Sequence, residues 1–411
     1  MKILLIHQYA GNKGDRAVAF AMCSIIKEQY PNSEITISTS SPNLWKEDSF
    51  YTKNNIQFIP NSWDFENVGK KNSYWIVLQK IKKYTFTIMR ELFLVGNYPA
   101  ISRMFINPCF SKAVQTSDIV ISVGGHHFTT ILSRDLVSSI NYDAMSVLSQ
   151  KKRLICFSQS FGPFVFHNNR NKRLTYKILS NCSLLFAREK NSITELENFG
   201  ISQSNIRITK ESVISLNRLF ALYQRPSLRE KQIGIAIYAT QKRTEKNHQA
   251  YIHTIGDSCK YFVNKGYKVI FFPMELKDTA PDDRILIQEI LQYINLPQQC
   301  SYIDVDMPTD IHLQAVSKCQ CFIGHKTHST IFALASGTPL IGIAYHPKTE
   351  EFMEQFGINQ FCINDQELSI EVVIEKFNLL ENDLDNIGKH LFEQARVFTD
   401  KVVSDLCSIV Q

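Results

Sequence analysis

No run in this sequence approaches the ~20 consecutive apolar residues that a membrane-spanning helix requires, so no transmembrane helix is expected. The opening MKILLIHQYAG reads as a short strand and a turn, without the longer apolar region of a signal peptide. A double cysteine pair at zinc spacing is missing as well. Cys23, Cys156, Cys182 and Cys407 fall in apolar segments, where a free thiol behaves as a small hydrophobe, and a reducing cytoplasm is the expected compartment. Cys319 and Cys321 form one C-x-C pair, but no second pair sits at zinc spacing, so both read as structural and no metal is expected. Nor is there a lysine and arginine block long enough to argue for nucleic acid. The formal net charge of +6 is a modest excess that suits an acidic small-molecule substrate or a loose association with anionic lipid.

What is present is an ordinary soluble composition, 44% hydrophobic and 20% charged, in 411 residues, which is more chain than one core usually serves. Apolar strand candidates alternate with helical patterns throughout, which favours helix-covered parallel sheets of the α/β class. In the first half these are Ile3 to Ile6, Ile35 to Ser38, Ile119 to Val123, Leu154 to Phe157 and Leu184 to Ala187. The second half offers Ile233 to Tyr238, Val269 to Pro273, Tyr302 to Val305, Cys319 to Ile323 and Leu340 to Ala344. Between the halves, the polar, aperiodic residues 222–231 read as a linker. The expected division is a domain over 1–221, that linker, a second domain over 232–375, and helices over 376–411 that pack back on the first domain.

The richest chemistry lies in residues 319–348. An apolar strand ends at Gly324, His325-Lys326-Thr327-His328 follow, and Ser329 onward opens a helix with Ile331, Phe332, Leu334 and Ala335 as its inner face. Backbone N–H groups at a helix start are unpaired and attract anions. Gly337 supplies the left-handed end and Pro339 blocks continuation, so the unit reads as βαβ, with Lys326 and His328 where open α/β sheets bind ligands. Tyr345, His346 and Lys348 recur at the carboxyl end of the next strand. Turns of similar layout occur earlier: Tyr9 to Arg16 with Gly11 and Gly14, Gly124-Gly125-His126-His127, Ser158 to Pro163, and Arg188-Glu189. The first of these lacks the G-x-G-x-x-G spacing of a dinucleotide fingerprint. Taken singly, each of the four also fits a turn that is glycine-rich for geometry alone.

Together, G-N-K-G-D, G-G-H-H, Q-S-F-G-P, F-A-R-E-K-N-S and G-H-K-T-H-S-T-I-F-A-x-A-x-G-T-P-L-I-x-I-x-Y-x-P-K resemble, in order and over nearly the whole chain, the polysaccharide pyruvyl transferase family. The resemblance implies two Rossmann-type domains in a GT-B-like arrangement, with parallel sheets facing a central cleft. It also implies transfer of the pyruvyl unit of phosphoenolpyruvate to a sugar, often as a cyclic ketal in bacterial surface, capsular or exopolysaccharide. The family usually reads G-x-R-L-H where this chain has Gly324-His325-Lys326-Thr327-His328; lysine keeps the charge and loses the planar two-pronged donor. Its triple glycine appears as Gly124-Gly125-His126 and its R-D as Arg188-Glu189. By resemblance, Arg188, Lys326 and His328 contact the phosphate and carboxylate of the donor from the two sides of the cleft.

Such chemistry needs clustered cations for the donor and an acid for its methylene carbon, and His328 is assigned that acid, although its imidazole also suits neutralising the leaving phosphate. Asp15, His126 and His127 are candidates for the base. Lys326, Thr327, Gly324, His325, Ser329, Gly11, Gly14, Gly124, Gly125, His126, Tyr345 and Lys348 are expected to bind substrate, and Arg188 to join His328 and Asp15 in catalysis. No cofactor is expected beyond phosphoenolpyruvate as donor substrate; the acceptor is a sugar or lipid-linked oligosaccharide. A glycosyltransferase using a nucleotide sugar and a non-catalytic carbohydrate-assembly subunit are the alternatives. Residues 70–105 interleave Lys70, Lys71, Lys80, Lys82, Lys83 and Arg90 with Tyr74, Trp75, Ile76, Phe86, Leu92 and Phe93. That pattern fits either a helix packed on the sheet with a solvated basic face or a helix resting on an anionic membrane at its inner, cytoplasmic surface.

Overall fold

The computed structural model describes residues 1–9, 11–40, 42–45, 48–63, 73–96, 99–131, 138–222, 229–240, 244–276 and 282–410. Two compact units emerge. Unit 1 comprises Met1–Ala10, Val18–Glu211 and Val402–Gln411, and unit 2 comprises Gly11–Ala17 and Ser212–Lys401. Residues 223–228 of the expected linker lie outside the described residues, as do Lys70, Lys71 and the side chains of Tyr74, Trp75, Ile76, Lys80, Lys82 and Lys83.

In unit 1, short apolar runs without internal helical periodicity extend as β1 (Lys2–Gln8), β2 (Glu34–Thr39), β3 (Gln57–Pro60), β4 (Ile119–Ser122), β5 (Gly125–Phe128), β6 (Leu154–Phe161), β7 (Leu184–Ala187) and β8 (Ile206–Ile208). Their order is β3-β2-β1-β4-β6-β7-β8, with β5 also on β6, and every pairing is parallel. Unit 2 holds β9 (Glu230–Ala236), β10 (Lys268–Phe271), β11 (Cys300–Tyr302), β12 (Cys319–Gly324), β13 (Leu340–Ala344) and β14 (Cys362–Asn364), ordered β11-β10-β9-β12-β13-β14 and again parallel. Each sheet reverses its winding once, beside β1 and β4 in unit 1 and beside β9 and β12 in unit 2. Ligands of open α/β sheets collect at the carboxyl ends of such strands.

The central strands are buried on both faces, as continuous Leu, Ile and Val runs require. Several strands depart from the sequence reading. Leu154 onward continues to Phe161 because Gln159 and Ser160 are buried and bonded, and residues 124–127, expected as a bare turn, supply β5. The strand expected over 302–305 sits instead at Cys300–Tyr302, where Cys300 is the buried residue. The edge strands β3, β8 and β14 carry too few apolar residues to announce themselves.

The helix Thr327–Ser336 is capped by Lys326 and ends at Gly337 with φ 62°, as the sequence suggests. Nine of its ten side chains are buried and only His328 is partly exposed, so it is a central helix, not one with a single inner face. After residue 365, helices span Ile370–Glu381 and Leu384–Val410. The helix Ser73–Val95 packs against the helices Ser138–Ser149 and Asn169–Asn181. Among the described residues no helix is long and apolar enough to cross a membrane.

Candidate functional site

Unit 2 brings the first and last sequence motifs together. The turn Gly11 to Arg16 lies along the end of β10: Asn12 bridges Glu275 as an isolated antiparallel pair, and the Lys13 N–H donates to the Met274 carbonyl at 3.1 Å. Asn12 Nδ2 donates to Glu275 Oε1 at 3.0 Å, and Asn12 Oδ1 accepts the Gly14 N–H at 2.7 Å. Glu275 Oε2 lies 3.1 Å from Lys326 Nζ, so one hydrogen-bonded chain links the two turns. The imidazole of His328 rests directly on Gly14. A Cβ at position 14 would stand 2.1 Å from His328 Cγ, so only glycine leaves room for the ring.

The cations here are already engaged by carboxylates. Lys326 Nζ donates to Asp283 Oδ1 at 2.9 Å and Oδ2 at 3.0 Å. Burial raises the Asp283 carboxyl, an effect opposed by Lys326 and by the N–H groups of Met274 and Glu275. Lys13 Nζ and Arg16 Nη2 both reach Asp306 Oδ1, at 2.7 and 2.6 Å. Burial brings the Lys13 ammonium down to about 8 despite Asp306. Burial alone would raise the Asp306 carboxyl, but Arg16 and Lys13 bring it to about 2. None of Asp283, Glu275 and Asp306 was singled out from sequence, because an isolated acid reads as solvated surface; Lys13 stood in plain view inside G-N-K-G-D.

Other expected binders take local roles. His325 is fully buried, with Nδ1 2.9 Å from the Tyr251 hydroxyl and Nε2 2.9 Å from Asp365 Oδ1, so it is a core histidine. Ser329 Oγ donates to the Lys326 carbonyl at 2.6 Å, and Thr327 Oγ1 lies 3.0 Å from Thr349 Oγ1. Gly324 closes β12 beneath them. Asp15 is half-buried in the first turn of the helix Lys13–Gln29, where the helix dipole favours an acid. Tyr345 follows β13, stacked on Tyr238 with ring centroids 4.2 Å apart, and Lys348 is half-buried in the first turn of the helix Pro347–Gln355.

Unit 1 gathers a second polar cluster at the ends of β1, β4, β6 and β7. His7 Nδ1 lies 2.7 Å from Ser122 Oγ and Nε2 3.0 Å from the Ile140 carbonyl. His7 and Ser158 adopt φ 67° and 56°, left-handed conformations that cost a non-glycine residue of order 1–3 kcal/mol and that gather where function over-determines the backbone. Gln159 Nε2 donates to the Val123 carbonyl at 2.9 Å and to Ser122 Oγ. Gly124 and Gly125 are buried, and His126 Nε2 lies 2.6 Å from the Gly162 carbonyl. Neither His7 nor Gln159 was picked out as a site residue; the H-Q that closes the first apolar run was the available signal.

Arg188 is buried and bonded on several sides. Its Nε donates to Ser160 Oγ at 2.8 Å, Nη1 bonds Glu211, and Glu189 Oε2 lies 3.5 Å from Nε. Its sequence neighbour Glu189 is the more distant partner; the closer one, Glu211, comes from beyond β8. Arg188→Lys keeps a charge for Glu211 but leaves the Ser160 hydroxyl without its donor, so a loss of about 1–2 kcal/mol in urea unfolding is expected. A variant as stable as the parent would mean that the guanidinium faces substrate more than fold.

Two histidines make stability depend on pH. Burial first, then His127, holds His7 well below its ordinary value. Burial first, then Lys13, does the same to His312, whose ring lies against Phe272 and Phe332, with neither nitrogen finding a hydrogen-bond partner among the described residues. A histidine depressed in the fold stays neutral there while the unfolded chain takes up protons below about pH 6.5, so its contribution is present above that pH and lost below it. Stability should therefore fall by up to about 1.4 kcal/mol per pH unit per histidine between about pH 6.5 and pH 5, well above the window near pH 4 to 2 where Asp306 titrates. His312→Phe should remove one histidine's share of that slope; an unchanged slope would mean that the ring is already protonated in the fold.

Comparison with known proteins gives a consistent picture. A family model described as polysaccharide pyruvyl transferase matches residues 12–347. The amylovoran biosynthesis protein AmsJ of Erwinia amylovora is 23% identical over 426 residues, covering 99% of both chains. Among solved structures, Anabaena Alr3699/HepE in complex with UDP-glucose superposes with TM-score 0.58 at 13% identity, over 100% of this chain and 99% of that one. UDP-GlcNAc 2-epimerase from Neisseria meningitidis bound to UDP-GlcNAc gives 0.57 at 12% identity, over 98% and 100%. The fold is thus GT-B-like, built from two Rossmann-like units.

Proposed function

Since the chain belongs to the polysaccharide pyruvyl transferase family, we propose that it transfers the pyruvyl unit of phosphoenolpyruvate to a pair of hydroxyls on one sugar in exopolysaccharide synthesis, closing a cyclic ketal. The observation that carries this reading is the meeting, within unit 2, of the G-N-K-G-D turn and the Lys326 to Ser329 helix start, with His328 seated on Gly14. The backbone N–H groups of that helix start suit a small polyanion. In the proposed sequence His328 protonates the donor's methylene carbon, which becomes a methyl group, and leaves an oxocarbenium-like centre at the neighbouring carbon. One sugar hydroxyl adds there and gives its proton to a base, for which Asp15 is the candidate in the same unit. The second hydroxyl then displaces phosphate as the carbon–oxygen bond to it breaks. The two hydroxyl protons end, in net, on the new methyl group and on phosphate, so no further cofactor is called for.

The test is to heat the pure protein with phosphoenolpyruvate or with UDP-sugars and to follow phosphate release with sugar acceptors. Phosphoenolpyruvate at about a hundred times its Kd should stabilise the native state by about 2.7 kcal/mol, and UDP-sugars should not. Stabilisation by UDP-sugars alone would instead make the protein a glycosyltransferase, and stabilisation by neither a non-catalytic subunit.

A further inference from the structure

The helix Ser73–Val95 is apolar on two faces. At about 100° per residue, Phe86, Met89 and Phe93 form the stripe that packs inward. Ile81, Tyr84, Ile88 and Val95 fall within about 60° of one another and about 140° away from that stripe. They are exposed by 51, 71, 43 and 78%. An ordinary surface helix presents polar side chains there, and a contiguous exposed apolar stripe marks a surface meant to be covered.

The charge beside the stripe says what covers it. At the end of the helix, Lys177 Nζ donates to the carbonyl of Leu94 at 3.3 Å and to that of Phe93. There a hollow of about 380 Å³ opens between Leu94, Tyr176 and Phe199, and Lys172 and Arg173 line it. Both cations are exposed and make no ion pair with the described residues. The helix Asn169–Asn181 that carries them contains no acidic residue. The acid beside the stripe on its own helix, Glu91, is neutralised by Arg90 and Arg170, so the net charge of the rim is basic, which suits a sheet of phosphates.

We propose that this face of unit 1 docks on a bilayer rich in anionic phospholipid, with Ile81, Tyr84, Ile88 and Val95 at the acyl boundary and Lys172 and Arg173 on headgroup phosphates. On the reading of function above, such docking brings the protein to lipid-linked acceptors. The docking itself is read without donor or acceptor, so it stands or falls independently of that chemistry.

The experiment is co-sedimentation of the full chain with vesicles of phosphatidylcholine alone or mixed with phosphatidylglycerol. Binding should appear only on the anionic vesicles and weaken as salt shortens the screening length. Lys172→Glu with Arg173→Glu should cut partitioning roughly tenfold or more, and Tyr84→Ser with Ile88→Ser should do so as well. Because these side chains are exposed, both pairs should melt with the parent. Equal binding to neutral vesicles, binding unmoved by either pair, or no binding at all would overturn the proposal. So would a homodimer in solution that Ile88→Ser dissociates, since the occupant of the stripe would then be a second copy of the chain.

Discussion

Lys326→Ala should cost about 3–5 kcal/mol of stability in urea unfolding, a larger effect than any single surface charge commands. The reason is Asp283. Its carboxylate is wholly buried, accepts the N–H groups of Met274 and Glu275, and has Lys326 as its cation. Removing the ammonium leaves an ion that must either stay charged without a partner or take up a proton. Its folded-state value, already raised by burial, then climbs further. A carboxyl raised above its unfolded value loses stability as pH rises through the folded value, so Lys326→Ala should be relatively less damaging at about pH 5 than at about pH 8. Adding Asp283→Asn removes the charge while keeping an acceptor for the two N–H groups, and the double variant should recover much of the loss. If Lys326→Ala melts like the parent and only raises the KM for phosphoenolpyruvate, the lysine faces substrate and the carboxylates are incidental.

That arrangement also shows how far a sequence can be read. The motif at 324–329 announced a helix start rich in cations, and the structure starts the helix two residues earlier than read, with Lys326 at the cap and His328 in the first turn. Strand-helix alternation gave the parallel sheets, because buried central strands write themselves as apolar runs; the half-exposed edges at Gln57–Pro60, Ile206–Ile208 and Cys362–Asn364 do not. What the sequence withheld is pairing at a distance. Lys326 looked available to an anion because Asp283 and Glu275 lie on other segments, and Arg188 looked aimed at a ligand because Glu211 follows a strand too short to notice. Burial of a charge depends on what the fold stacks over it, and local periodicity carries no record of that.

Gly14→Ala should lower turnover nearly as far as His328→Ala, by about 10²- to 10⁴-fold, the range a positioned acid contributes. The new methyl group would lie 2.1 Å from His328 Cγ, so the imidazole has to leave its seat. Instability would be the rival cause, but Gly14 lies in the first turn of the helix Lys13–Gln29, where alanine is by itself the better helix former by up to about 1 kcal/mol. The melting point should therefore stay within a few degrees of the parent while phosphate release from phosphoenolpyruvate collapses. If glycine acts only by seating the imidazole, the double variant Gly14→Ala with His328→Ala should be no slower than His328→Ala alone, because residues that act as one unit are not additive. Losses that multiply would mean that Gly14 serves the reaction by another route, such as holding the Asn12 and Glu275 bridge, and near-normal turnover in His328→Ala would remove the imidazole from the chemistry altogether.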